Sequence, residues 1–194
     1  RFQANISNFR SNRIAAERKC RDNSSSEEIT IDEIYTNLEK YYTSKELVKL
    51  KEIEKQVEVD ICYLNPDIIE LYNWCQRNKT VIITSDMYLD EETITNILEK
   101  NGIKYNKLYL SSKVKKTKAS GSIYKFILND MQINPEEMIH IGDNKKSDYF
   151  SAKKNGVEAI VWRNIQQKDN NDHINLNLLN NYFKRYLFNI SQKS

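Results

Sequence analysis

A chain of 194 residues can enclose one sizeable core, or a core with a smaller companion domain. Its 30 Lys and Arg nearly cancel 27 Asp and Glu, and the slight net charge of +3 is spread along the chain, so nothing marks an obligate nucleic-acid partner. Cys20, Cys62 and Cys75 stand in no CxxC or Cys/His spacing, which argues against a disulfide scaffold or structural zinc and fits reduced thiols in the cytoplasm; no apolar run is long enough for a membrane span or a signal peptide.

From residue 1 to about 60 the pattern is helical. Phe2, Ile6, Phe9, Arg13 and Ala16 recur at helical spacing up to about Cys20, and the polar run from Asp22 to Ser26 breaks it. Thr30 or Asp32 then caps a second helix whose apolar stripe is Ile31, Ile34, Tyr35 and Leu38. Ser44 is expected to cap a third, with Leu47, Leu50, Ile53 and Val57 on one face and many Lys and Glu on the other.

The composition changes at Asn65-Pro66-Asp67, which opens a helix leading into Thr80–Thr84, a β-branched run of the kind buried on both faces of a parallel sheet. Helix and strand patterns alternate from there. A helix from Asp90 or Glu91 to Lys100 closes at Asn101-Gly102, a strand spans Lys107–Leu110, and a helix runs from Ser120 to Met131. A strand from Met138 to Ile141, a helix from Lys146 to Asn155 closed by Gly156, and a strand from Val157 to Trp162 follow. Such alternation predicts an α/β fold, a Rossmann-like parallel sheet with right-handed crossovers, beneath an N-terminal all-helical cap. After a polar linker, Leu179, Tyr182, Phe183, Tyr186, Leu187 and Ile190 spell a final amphipathic helix that would pack on the core or on a partner chain. The expected units are a helical layer over 1–64, an α/β core over 65–165, and linker plus C-terminal helix over 166–194. Because the sequence opens on Arg1 directly into a helical pattern, the natural chain is expected to begin upstream.

Ligands of open parallel sheets collect at the carboxyl ends of the strands, and three polar clusters fall on that edge in order. First comes Thr84-Ser85-Asp86, where a hydroxyl and free backbone amides suit a phosphate oxygen, or equally a helix N-cap. Second is the basic loop from Ser111 to Gly121, in which Lys118 sits at a helix entrance and is best placed to neutralise phosphate charge, while most of its other lysines are simply solvated. Third is Gly142-Asp143 with Asp148 five residues further on, a place to hold a divalent cation or a cap with a first-turn acid. His140 lies inside a strand and reads as a core histidine, His173 as a linker residue, and Trp74 and Trp162 as packing residues.

In that order the three clusters resemble the haloacid dehalogenase-like (HAD) superfamily of phosphohydrolases. Its second motif looks like Val81–Ser85, its third like Lys118 ahead of the next helix, and its fourth, Gly-Asp-x4-Asp, like Gly142 to Asp148. The resemblance implies Ser85, Lys118, Asp143 and Asp148 as catalytic residues, with Ser85, Asp86 and Lys118 on the substrate phosphate. It implies Asp143 as a Mg²⁺ ligand and Asp148 as a second ligand or an orienting group. The family's first motif, Asp-x-Asp on the first strand, stands nowhere in this sequence, and the resemblance places that strand upstream of residue 1. What it implies is a Mg²⁺-dependent phosphate-monoester hydrolase acting through an aspartyl-phosphate on a small phosphorylated substrate. The alternative is a catalytically inactive HAD-like binding or interaction module. The wording Ser85-Asp86-Met87-Tyr88-Leu89 resembles HAD-like proteins found with bacterial glycosyltransferases and surface-polysaccharide genes, so a glycosyltransferase-associated or homo-oligomeric partner is expected.

Overall fold

The computed structural model describes residues 8–162. The expected C-terminal helix, His173 and the apolar positions Phe2 and Ile6 lie outside the described residues. Helices α1 (Phe9–Asn23), α2 (Ile31–Thr36) and α3 (Ser44–Ile61) form the N-terminal layer. A capping box starts α2: Glu33 N donates to Thr30 Oγ1 at 3.2 Å, and Thr30 N donates back to Glu33 Oε2 at 2.6 Å. The same device starts α3 from Thr43 and Glu46, so Thr43 is the cap and Ser44 is already inside the helix. The reason is spacing: three residues after Thr43 stands a glutamate that can reach back, whereas three after Ser44 stands Leu47.

A 3₁₀ turn at Pro66–Ile68, capped by Asn65, leads into α4 (Ile69–Asn78). Strand β1 (Ile82–Ser85), helix α5 (Glu91–Lys100) and strand β2 (Lys107–Leu110) follow. β1 begins later than expected because Val81 pairs with a loop asparagine: its amide donates to Asn106 Oδ1 and its carbonyl accepts from Asn106 N. The basic loop contains a helical turn that sequence periodicity missed, α6 (Ser111–Val114), ended by Lys115 in the left-handed region at φ 54°. After it come α7 (Ser122–Met131), strand β3 (Ile139–Gly142), a π-turn at Lys145–Phe150, the short α8 (Ser151–Lys154) and strand β4 (Glu158–Val161). The single helix expected over 146–155 is therefore a π-turn running into one α-turn.

Both strand pairs are parallel, Ser85 lying opposite Leu110 in β1–β2 and Gly142 opposite Val161 in β3–β4. Among the described residues these are two separate two-stranded sheets, so β1 and β3 each have one strand neighbour. Two apolar cores support them. Ile29, Ile31, Ile34, Leu38, Leu47 and Leu50 from the helical layer pack with Leu89, Ile94 and Leu110. Tyr109, Ile123, Tyr124, Ile127, Met138 and Val157 fill the second, between the strands and α7. No helix among the described residues is long and apolar enough to cross a membrane.

Candidate functional site

Lys118 is where the ends of β1 and β3 meet. Its amide donates to both oxygens of Asp86, just past β1, at 3.1 and 2.9 Å. Its carbonyl accepts from Ser151 Oγ at 2.5 Å. Its ammonium sits 2.7 Å from Asp148 Oδ1, past β3. Backbone on both sides of the residue and the charged tip are thus all held.

Asp148 is only 2 % exposed. Besides Lys118 on Oδ1 it accepts the Asn144 amide on Oδ2 at 3.0 Å, and His140 Nε2 lies 3.3 Å from Oδ1. Burial alone would raise the carboxyl's pKa; His140, the Lys118 ammonium and the Asn144 amide outweigh it and hold the group well below the usual carboxylate range. Two local features bring this side chain back under the strand end. Asn144 caps the π-turn, its Oδ1 accepting from Lys146 N at 2.9 Å and Ser147 N at 3.1 Å. Residue 142 must be glycine, since a Cβ there would fall on the Asp148 carboxylate. His140 is the buried core histidine that its strand position predicts; Tyr124 stands edge-on to its ring at 5.2 Å and donates its hydroxyl to Ser147 O.

Asp143 behaves in the opposite way. It is exposed at the end of β3, and its carboxylate has no hydrogen bond or ion pair among the described residues. The Ser85 hydroxyl likewise has no protein partner there. The Asp86 side chain braces the Lys118 loop, and burial raises its pKa against the lowering effect of the Lys118 amide and charge. Of the residues singled out by sequence, then, Asp86, Lys118 and Asp148 are joined directly, while Ser85 and Asp143 stand unengaged at the ends of β1 and β3.

As hard oxygen donors, these carboxylates suit Mg²⁺, which commonly takes one or two protein carboxylates and completes its shell with waters and substrate oxygens. Asp143 has both oxygens available and fits as one ligand; both Asp148 oxygens are committed, so that side chain fits as the group that orients Lys118. No cluster of three or more His, Cys, Asp or Glu side chains suited to a metal occurs among the described residues.

One contributor was invisible in the sequence. Glu27, from the loop between α1 and α2, reaches the Lys118 loop and accepts from the Thr117 amide and from the hydroxyls of Thr117, Ser120 and Ser122. A glutamate ninety residues away in sequence leaves no local pattern that could have announced this.

Residues 11–162 match the family described as haloacid dehalogenase-like hydrolase. The chain belongs to that family. Solved HAD structures share the fold. A 2-haloacid dehalogenase from Pseudomonas syringae pv. tomato superposes with a TM-score of 0.67 at 16 % identity, over 91 % of this chain and 81 % of its own. A haloacid dehalogenase-like hydrolase from Xanthomonas campestris gives 0.62 at 11 % identity, over 98 % and 82 %. A HAD family enzyme from Bacteroides thetaiotaomicron, solved with magnesium and inorganic phosphate, gives 0.58 at 17 % identity, over 86 % and 87 %. At such identities the likeness concerns the fold, a HAD-type α/β core with parallel strands. No curated protein matches the chain.

Proposed function

We propose that this HAD-family chain carries the phosphate-binding half of a Mg²⁺-dependent phosphate-monoester hydrolase. The observation that carries the reading is Lys118, its amide held by Asp86 and its ammonium by Asp148 past two strands whose ends also carry the unengaged Ser85 hydroxyl and Asp143 carboxylate. A lysine pre-aimed in this way offsets charge on the transferring phosphoryl oxygens without reorganising during the reaction. Ser85 would donate to one of those oxygens. Asp143 would hold Mg²⁺, which when bound relieves repulsion between carboxylates and phosphate. Asp148 would orient Lys118.

The nucleophile is proposed to come from an Asp-x-Asp strand outside these 194 residues, adding to an edge of β1 or β3 that no other strand pairs among the described residues. Its first aspartate would attack phosphorus and expel the alcohol, which takes a proton from the second; water, deprotonated by that same group, would then cleave the aspartyl-phosphate to give phosphate. Helices α1–α3 would serve as the cap that excludes water and selects a small phosphorylated substrate. The three free cysteines suit a reducing cytoplasmic setting. A glycosyltransferase-associated role, or self-association, would follow the wording of Ser85 to Leu89.

The second reading is a non-catalytic module that binds a phosphorylated ligand, favoured by the lack of any Asp-x-Asp in this sequence. Turnover of para-nitrophenyl phosphate by the full-length protein with Mg²⁺ separates the two. The hydrolase reading expects turnover that falls ~100-fold or more in Asp143→Asn, the scale of losing a charge-stabilising group. Unaltered turnover in that variant would refute Asp143 as the metal ligand. A complete reading frame without Asp-x-Asp and without turnover would leave the binding module.

A further inference from the structure

The amides of Thr117 and Lys118 are neighbours in sequence, yet they are held by carboxylates from different parts of the chain. Asp86 takes the Lys118 amide from the β1 side. Glu27 takes the Thr117 amide from the helical layer, Oε2 lying 2.9 Å from the nitrogen. The same oxygen lies 3.2 Å from Thr117 Oγ1 and 2.6 Å from both Ser120 Oγ and Ser122 Oγ. Four donors crowd one oxygen, so the hydroxyls share it, and the amide, which cannot rotate away, is the fixed partner.

Glu27 is itself firmly placed. Glu28 beside it is buried, with Oε1 on Arg21 at 2.8 Å and on the Ile29 amide at 3.0 Å, and Oε2 on Ser111 Oγ at 3.1 Å. Its carbonyl accepts from Lys115 Nζ, and Ile29 and Ile31 follow into the apolar core. The segment that Glu27 grips has no regular structure to hold it. It lies between left-handed Lys115 and left-handed Gly121, and α7 begins after Gly121 without a side-chain cap of its own.

We propose that Glu27 is a positioning residue for Lys118: by fixing the Thr117 amide it sets the backbone point from which the Lys118 ammonium reaches Asp148 and an anionic ligand. This rests on the reading of Lys118 as the phosphate-binding cation. The three hydroxyls and the amide also pull the Glu27 carboxyl down to about 2 against the opposing effect of burial, so the anchor keeps its charge throughout the physiological range.

The test reads Lys118 itself. In the full-length protein, brief acetic anhydride labelling followed by mass spectrometry compares acetylation of Lys118 with that of exposed Lys104. Wild type should protect Lys118. Glu27→Gln, which keeps the shape and loses the charge, should raise relative Lys118 labelling about fivefold, the scale expected when a charge-assisted hydrogen bond is lost. Glu27→Asp should stay nearer wild type, with far-ultraviolet circular dichroism unchanged in both. A parallel para-nitrophenyl phosphate assay should show kcat down about tenfold in Glu27→Gln with KM within about twofold, as for a group acting on the transition state. Unchanged Lys118 labelling in Glu27→Gln would overturn the positioning role. Raised labelling alongside no turnover in wild type would uphold it while counting against the hydrolase reading.

Discussion

The two halves of the candidate site are finished to different degrees. Around Lys118, every polar group is engaged: amide to Asp86, carbonyl to Ser151, ammonium to Asp148, with Glu27 behind the loop. The Asp143 carboxylate has no hydrogen bond or ion pair among the described residues, although it stands five residues from Asp148 on the same connection. On the proposed reading, the difference teaches that a cation meant to meet an anionic ligand can be pre-aimed by the protein's own carboxylates. On the same reading a carboxylate meant to meet a cation is left open, because a protein lysine placed there would compete with the metal.

Breaking the engaged half should cost the most. Lys118→Met removes the partner of a 2 %-exposed carboxylate and is expected to destabilise the fold by about 3 kcal/mol. In denaturant titration, the double variant Lys118→Met with Asp148→Asn should recover part of that loss; a double variant as unstable as the single would show that packing, not charge, holds the pair. Gly142→Ala should come next, at about 2 kcal/mol, since its methyl group lands on the Asp148 carboxylate and the strand end must shift. A thermal midpoint equal to wild type would mean that the π-turn gives way freely.

Acid should loosen the Glu27 anchor. Because the folded carboxyl of Glu27 titrates at about 2 instead of 4.5, its contribution is fully present above 4.5 and is lost as pH falls toward 2. Glu27→Gln should therefore lower stability modestly at neutral pH and flatten the decline between pH 4.5 and 2, read by urea titration across that window. Asp143→Asn should have the smallest effect on stability, within about 0.5 kcal/mol, as for an exposed side chain without partners. A larger loss would show that Asp143 is engaged after all, which would erase the contrast between the two halves.

The strand positions and the order of the three polar clusters were legible because each depends on local pattern: β-branched runs, alternation with amphipathic helices, and turn residues at the strand ends. The capping of α2 was narrowed to Thr30 or Asp32 for the same reason, Thr30 being the cap observed, and the Ser44 error came from overlooking the glutamate three residues after Thr43. Which way Asp148 turns could not be read, because that depends on a π-turn and on the absence of a side chain at Gly142. Glu27 was out of reach for a different reason: its partners are set by tertiary packing of Ile29 and Ile31, and no spacing encodes a contact across ninety residues.

The π-turn at Lys145–Phe150 has a bearing on how this segment can change over time. Such a turn is an α-turn carrying one surplus residue. Removing one of the exposed residues Lys145 and Lys146 would be expected to relax the backbone toward ordinary helical pitch while Asn144 still returns a carboxylate beneath the strand end. Spacing between glycine and the second aspartate is then expected to be elastic, so that a one-residue deletion here would keep the lysine's counter-charge.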